Sequence, residues 1–157
     1  MFYIIRLKIL IDVAGFTDGE GCFLINIYRS KTTKLGEAVQ LIFKLTQHSR
    51  DEQLLISLAE FLNCGKVHRY KNKETVDLII TKFSDLNEKI IPFFKKFPII
   101  GSKSLDFSDF EQVAKLMENK IHLTAEGFKQ IRQIKLVLRN EPWKKIGRNS
   151  PKEGSEI

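Results

Sequence analysis

Val13-Ala14-Gly15-Phe16-Thr17-Asp18-Gly19-Glu20-Gly21 is the stretch whose reading decides the fold of this chain. It follows an apolar run and leads straight into an alternating segment. Gly15 and Gly19 stand four apart, the spacing that puts small residues on one helix face and lets a second backbone come close. Glu20 falls where such a helix would end. Glycines on both sides leave its carboxylate sterically open, as a metal-binding acid presented from a helix terminus requires. By themselves these residues also allow a plain glycine turn holding a solvated acid.

Upstream, from Tyr3 to Thr17, the residues Ile4, Ile5, Leu7, Ile9, Leu10, Ile11, Val13, Ala14 and Phe16 leave hardly any polar face. A helix apolar nearly all round must be covered on two sides, and a second helix of the same kind would cover the outer one. Arg6, Lys8 and Asp12 interrupt the run, no small-residue cleavage site follows it, and it is far short of a membrane span.

Downstream, Cys22 to Ser30 alternates, with Phe23, Ile25 and Ile27 on one face. After a turn rich in Ser, Lys, Thr and Gly, Ala38 to Gln47 alternates again, with Val39, Leu41, Phe43 and Leu45 inward. The pair reads as an antiparallel hairpin. Ser49 and Glu52 form a capping-box pattern ahead of Leu54, Leu55, Leu58, Phe61 and Leu62, which Cys64-Gly65 ends. A shorter hairpin is expected at Lys66 to Tyr70 and Thr75 to Lys82. Helices follow, one capped by Ser84 and running to about Phe94, one from Lys103 to about Asn119, and one capped by Thr124 and running to about Leu138. Ala125-Glu126-Gly127 imitates the end of the first motif but reads better as a helix start. From 140 to 157 Gly, Ser, Pro and Lys dominate, which predicts a disordered basic tail after a single domain at 1–139.

The expected class is α+β, an αββαββα core with helices on one face of a four-stranded antiparallel sheet. The other face is left open. Its row comprises Leu24, Asn26, Tyr28, Ser30, Ala38, Gln40, Ile42, Lys44, Thr46, Lys66, His68, Tyr70, Thr75, Asp77, Ile79 and Thr81, with Lys34 at the hairpin tip. Such a mixture suits base edges in a major groove. A solvated sheet face is the alternative, which leaves Leu24, Ile42 and Ile79 in water for no reason. The chain has 157 residues and a formal charge of +7, a balance for which nucleic acid is the natural partner. Cys22 and Cys64 lack metal or disulfide spacing, as expected of a protein from a reducing, intracellular compartment.

The opening stretch, continued to Phe23, resembles the LAGLIDADG motif of homing endonucleases and related intron maturases. Leu45-Thr46-Gln47-His48, Thr81-Lys82-Phe83-Ser84-Asp85, Ile99-Ile100-Gly101-Ser102-Lys103 and His122-Leu123-Thr124-Ala125-Glu126-Gly127-Phe128 extend the resemblance over residues from about 10 to 140. It implies the LAGLIDADG endonuclease fold, with Glu20 binding metal assisted by the backbone carbonyl of Gly19. Asp18 would be structural, Gln47 would order the catalytic water, and Lys103 would stabilise the transition state. Leu10, Val13, Ala14, Gly15, Thr17 and Asp18 would form the interface between two motif helices. One Glu20 is too little charge for a site that must activate water and stabilise a phosphorane-like transition state; two would suffice.

The resemblance thus implies a homodimer that cuts both strands of a long, near-palindromic double-stranded DNA, leaving 3′ overhangs. The cofactor would be Mg²⁺ or Mn²⁺, with Ca²⁺ able to occupy the site without turnover. Neither a membrane nor a small-molecule substrate is expected, and mitochondrial origin follows from the family alone. An RNA-binding intron maturase and a catalytically silent DNA-binding module are the alternatives on this scaffold. Half of a two-motif enzyme is the alternative to the homodimer.

Overall fold

The computed structural model describes residues 21–140, with side chains to residue 136. Two hairpins merge into one antiparallel sheet. Strand β1 (Gly21–Arg29) pairs with β2 (Glu37–His48), and after helix α1 (Glu52–Leu62), β3 (Lys66–Arg69) pairs with β4 (Thr75–Ile80). β2 and β4 join at the centre in the order β1-β2-β4-β3. Helix α2 (residues 83–96), α3 (Lys103–Glu118) and α4 (Ala125–Asn140) complete the described chain.

Period-two alternation accounts for the sheet's two faces. Phe23, Ile25, Val39, Leu41, Phe43, Leu45, Val76, Leu78 and Ile80 are buried toward the helices. There Phe23 meets Phe43, Phe94, Phe107 and Phe110, with ring centroids 5.2 to 5.4 Å apart. Edge-on aromatic contacts of this kind add about 0.5–1.5 kcal/mol each beyond area burial. They tie β1 to α2 and α3.

Two helix starts differ from those expected. Ser49 does not cap α1. A 3₁₀ turn (Ser49–Asp51) comes first, and the acceptor is His48 Nδ1, 3.1 Å from the Arg50 N–H. The extended conformation of His48 at the strand end lets its ring reach forward, a service the imidazole performs as well as a hydroxyl would. Ser84 likewise lies inside α2, whose cap position is Lys82 with no side-chain hydrogen bond. Within α2, residues Leu86–Ile90 form a π turn directly ahead of Pro92. Proline lacks an N–H and its ring crowds the carbonyl four residues back, so a widened turn keeps the helix running to Lys96.

The last helix begins as expected. Thr124 Oγ1 accepts from the Gly127 N–H at 3.0 Å. A Cβ on Gly127 would stand 2.0 Å from the Ile121 carbonyl oxygen, so this glycine permits a close approach and belongs to the helix start. No described helix is long and apolar enough to cross a membrane.

Candidate nucleic-acid interface

The end of the sheet where β1 starts gathers two of the expected site residues. Gly21, which directly follows Glu20, pairs with Leu45. Gln47 lies two residues farther along β2, beyond that point, and shares the strand parity of Leu45 and Phe43. Its Nε2 is buried with no hydrogen-bond partner among the described residues. Buried donors are nearly always satisfied, so an orphan here marks a place that expects water or a ligand. Lys103 arrives from the other side. It shares a helix face with Phe107 and Phe110, four and seven residues on, and their packing on Phe23 carries its amine to the strand start. There its Nζ donates to the Gly21 carbonyl.

Glu20 and Gly19, expected to hold metal, lie outside the described residues, as do Leu10, Val13, Ala14, Gly15, Thr17 and Asp18. Among the described residues no group of three or more His, Cys, Asp or Glu could hold a metal ion. A metal at this end of the sheet would therefore depend on Glu20 and its neighbours.

On the open face, Leu24, Asn26 and Tyr28 of β1 are exposed, while Ala38, Gln40, Ile42, Lys44 and Thr46 of β2 are half-buried. Lys66 and His68 of β3 and Thr81 beyond β4 are exposed; Ser30, Tyr70, Thr75 and Ile79 are half-buried, and Lys34 projects from the hairpin tip. Leu24 pairs with Ile42 across the strands, so these two aliphatic side chains partly cover each other. Asp77 is the exception to an open row. It has the outward parity, yet it is 1% exposed.

The cover over Asp77 consists of its own partners. Thr46 Oγ1 donates to Oδ1 at 2.7 Å, and Tyr70 donates its O–H to Oδ2 at 2.7 Å. Lys44 Nζ stands 3.0 Å from Oδ2. Burial by itself would raise the Asp77 pKa, but the hydrogen bonds from Tyr70, Thr46 and Lys44 outweigh it and hold the carboxyl below its ordinary value. For Lys44, burial opposes the charge, and the bond and attraction to Asp77 prevail and raise its pKa. The hydrogen bond to Asp77 raises that of Tyr70.

A family model for LAGLIDADG endonucleases matches residues 13–114. The chain belongs to the LAGLIDADG endonuclease family. Over 123 residues it is 43% identical to a probable intron-encoded endonuclease 2 of Neurospora crassa, covering 78% of this chain and 26% of the relative. Among solved structures, I-SmaMI bound to an uncleaved DNA target with calcium ions superposes with a TM-score of 0.76 at 41% identity, covering 78% of this chain and 42% of that one. I-LtrWI bound to target DNA gives 0.75 at 46% identity, covering 78% and 41%. The chain thus spans about a quarter of the curated relative and two fifths of each solved enzyme. With them it shares the α+β fold and the four-stranded antiparallel sheet.

Two further residues of this LAGLIDADG domain stand beside the predicted row. Cys22 pairs with Lys44 across β1 and β2, on the open face beside the strand start. The alternation of β1 already assigned it there, since it shares the parity of Leu24 and Asn26. Lys73 Nζ sits 5.7 Å from the centre of the Tyr70 ring, a contact set by the turn geometry that leaves no trace in residue spacing. The two histidines have local roles. His48 caps, and His122 is half-buried with Nδ1 unpartnered among the described residues; burial lowers its pKa against a hydrogen bond to the Leu116 backbone.

Proposed function

We propose that this chain supplies one catalytic domain of a site-specific DNA endonuclease that works when two such domains meet. The observation that carries the reading is the amine of Lys103 held on Gly21, the residue after Glu20, at the same end of the sheet as the orphan amide of Gln47. Beside them lies a sheet face of mixed polar and aliphatic side chains, with a DNA duplex as the partner it suits. Gln47 would hold a water through Nε2, and Lys103 would offset charge building on the phosphate; a fixed cation or donor of this kind contributes about 10²–10³ in rate. Glu20 and the Gly19 carbonyl would hold Mg²⁺ or Mn²⁺. When bound, such an ion lowers the pKa of an attacking water and polarises the phosphate.

The pairing surface in this proposal is the motif helix with Leu10, Val13, Ala14, Gly15, Thr17 and Asp18. A homodimer on a near-palindromic site, leaving 3′ overhangs, is the simplest assembly. A different second domain is favoured by one observation: the solved enzymes are more than twice the length this chain covers. Light scattering with and without DNA separates the two, because a persistent monomer that cuts nothing contradicts the homodimer. The names of the relatives support an intron-encoded origin, and a mitochondrial one rests on family resemblance.

The test of the activity is Glu20→Gln in the assembled protein. Cleavage should be lost with DNA binding kept, and a variant cutting at the wild-type rate would overturn the reading. Binding without cleavage by the wild type, in Mg²⁺ or Mn²⁺, would favour the silent DNA-binding module, and preference for intron RNA the maturase.

A further inference from the structure

We propose that Asp77 is a positioning residue that sets the hydrogen-bond polarity of the open sheet face, so that Lys44, Thr46 and Tyr70 together read a G·C base pair. This rests on the sheet being the DNA-binding face, as proposed above.

The argument is a count of protons. An ionised carboxylate only accepts, and a hydroxyl has one proton to give. Thr46 spends its proton on Oδ1 and Tyr70 spends its own on Oδ2. Both oxygens therefore face outward as acceptors. Lys44 commits one N–H to Oδ2 and has two left, so it faces outward as a donor. None of these three can reverse its role while Asp77 stays charged and buried, and the three bonds keep it charged.

The positions suit a single base pair. Thr46 lies directly across from Asp77, Lys44 two residues along the same strand, and His68 across from Asp77 on the far side. His68 stands edge-on to Tyr70, 4.6 Å between centroids, and holds its ring in place. In the major groove a G·C pair shows two adjacent acceptors, N7 and O6, and then the cytosine amino donor. A lysine amine beside hydroxyl acceptors matches that order. A phosphate is the poorer partner, because Asp77 cancels the charge of Lys44 where a phosphate clamp would need surplus positive charge.

The experiment starts by selecting cleaved or bound sites from a random duplex library with the full chain. Duplexes carrying each of the four base pairs at every position of the selected site are then compared for binding. The wild type should prefer G·C by tenfold or more at one position in the half-site. Asp77→Asn should reduce that preference to within about threefold and leave preferences elsewhere in place. Tyr70→Phe, which keeps the ring against His68, should weaken the same position alone, and it serves as the test should Asp77→Asn fail to fold. Unchanged preferences in both variants would overturn the proposal with the nuclease reading intact. So would a shift of equal size at every position, which is what a merely structural Asp77 would produce. A wild type that selects no duplex would overturn both.

Discussion

The two halves of the open sheet face are built on different principles. On the β1 side, Asn26, Tyr28 and Gln40 make no side-chain hydrogen bond to another described residue, and Leu24 faces Ile42 across the strands. On the β4 side, Lys44, Thr46 and Tyr70 are tied to one buried carboxylate. The first half can rearrange to suit a surface it meets, at the entropic cost of ordering each side chain. The second half arrives ordered, so its cost falls on folding and its polarity is fixed beforehand. The contrast shows that residue type alone does not make a contact residue adaptable; what it is already bonded to decides.

The largest effect should come from removing the organiser. Asp77→Ala leaves two hydroxyls and an amine around an apolar gap and should cost about 2–3 kcal/mol in urea unfolding. A loss no greater than that of an exposed residue would erase the distinction between the halves.

Acid should expose the same asymmetry. The folded Asp77 pKa lies below its ordinary value of 3.8, so its stabilisation is complete above that value and is lost as pH falls through the lower folded value. The folded Lys44 pKa lies above 10.5, so its share is complete below that and is lost only as pH rises through the raised value. The network should therefore contribute evenly from pH 5 to 9. Unfolding curves of wild type and Asp77→Asn should run parallel over that range and converge only below about pH 4. Convergence already at pH 6 would mean that the carboxylate is not held as described.

A smaller effect belongs to the hairpin tip. Lys34 projects where a phosphate could be met, and Lys34→Ala should lower the salt slope of DNA binding by about one unit, a change of about threefold between 50 and 200 mM salt. Lys44→Met should leave that slope nearly unchanged, since its charge is already cancelled by Asp77. Equal slopes for both variants would contradict the division between a charged tip and a neutral reading patch. The smallest effects are expected for Asn26→Ala and Gln40→Ala, within about 0.5 kcal/mol of wild-type stability.

Much of this was legible from spacing. Alternation placed Phe23, Phe43 and Leu45 in the core and Lys44 and Thr46 opposite them, because a strand's period of two leaves no choice of face. The amphipathic pattern likewise opened a helix at Lys103, where α3 begins. Capping was less legible. Ser49 had the right chemistry, but the neighbouring His48 sat at the strand end with its ring able to reach Arg50 first. Asp77 misled for a similar reason: its parity was correct, and parity says nothing about what lies over a side chain.

By itself, then, the sequence determined the order of elements, the two faces of the sheet and the motif that names the family, since each rests on local periodicity or on a short run of residues. Only the tertiary structure decided that Lys103 reaches Gly21 across 82 positions of chain, that the Gln47 amide at the same end of the sheet has no partner among the described residues, and that Asp77 is roofed by residues from two separate segments. Those facts depend on contacts between residues distant in the chain, which packing brings together and no local pattern records.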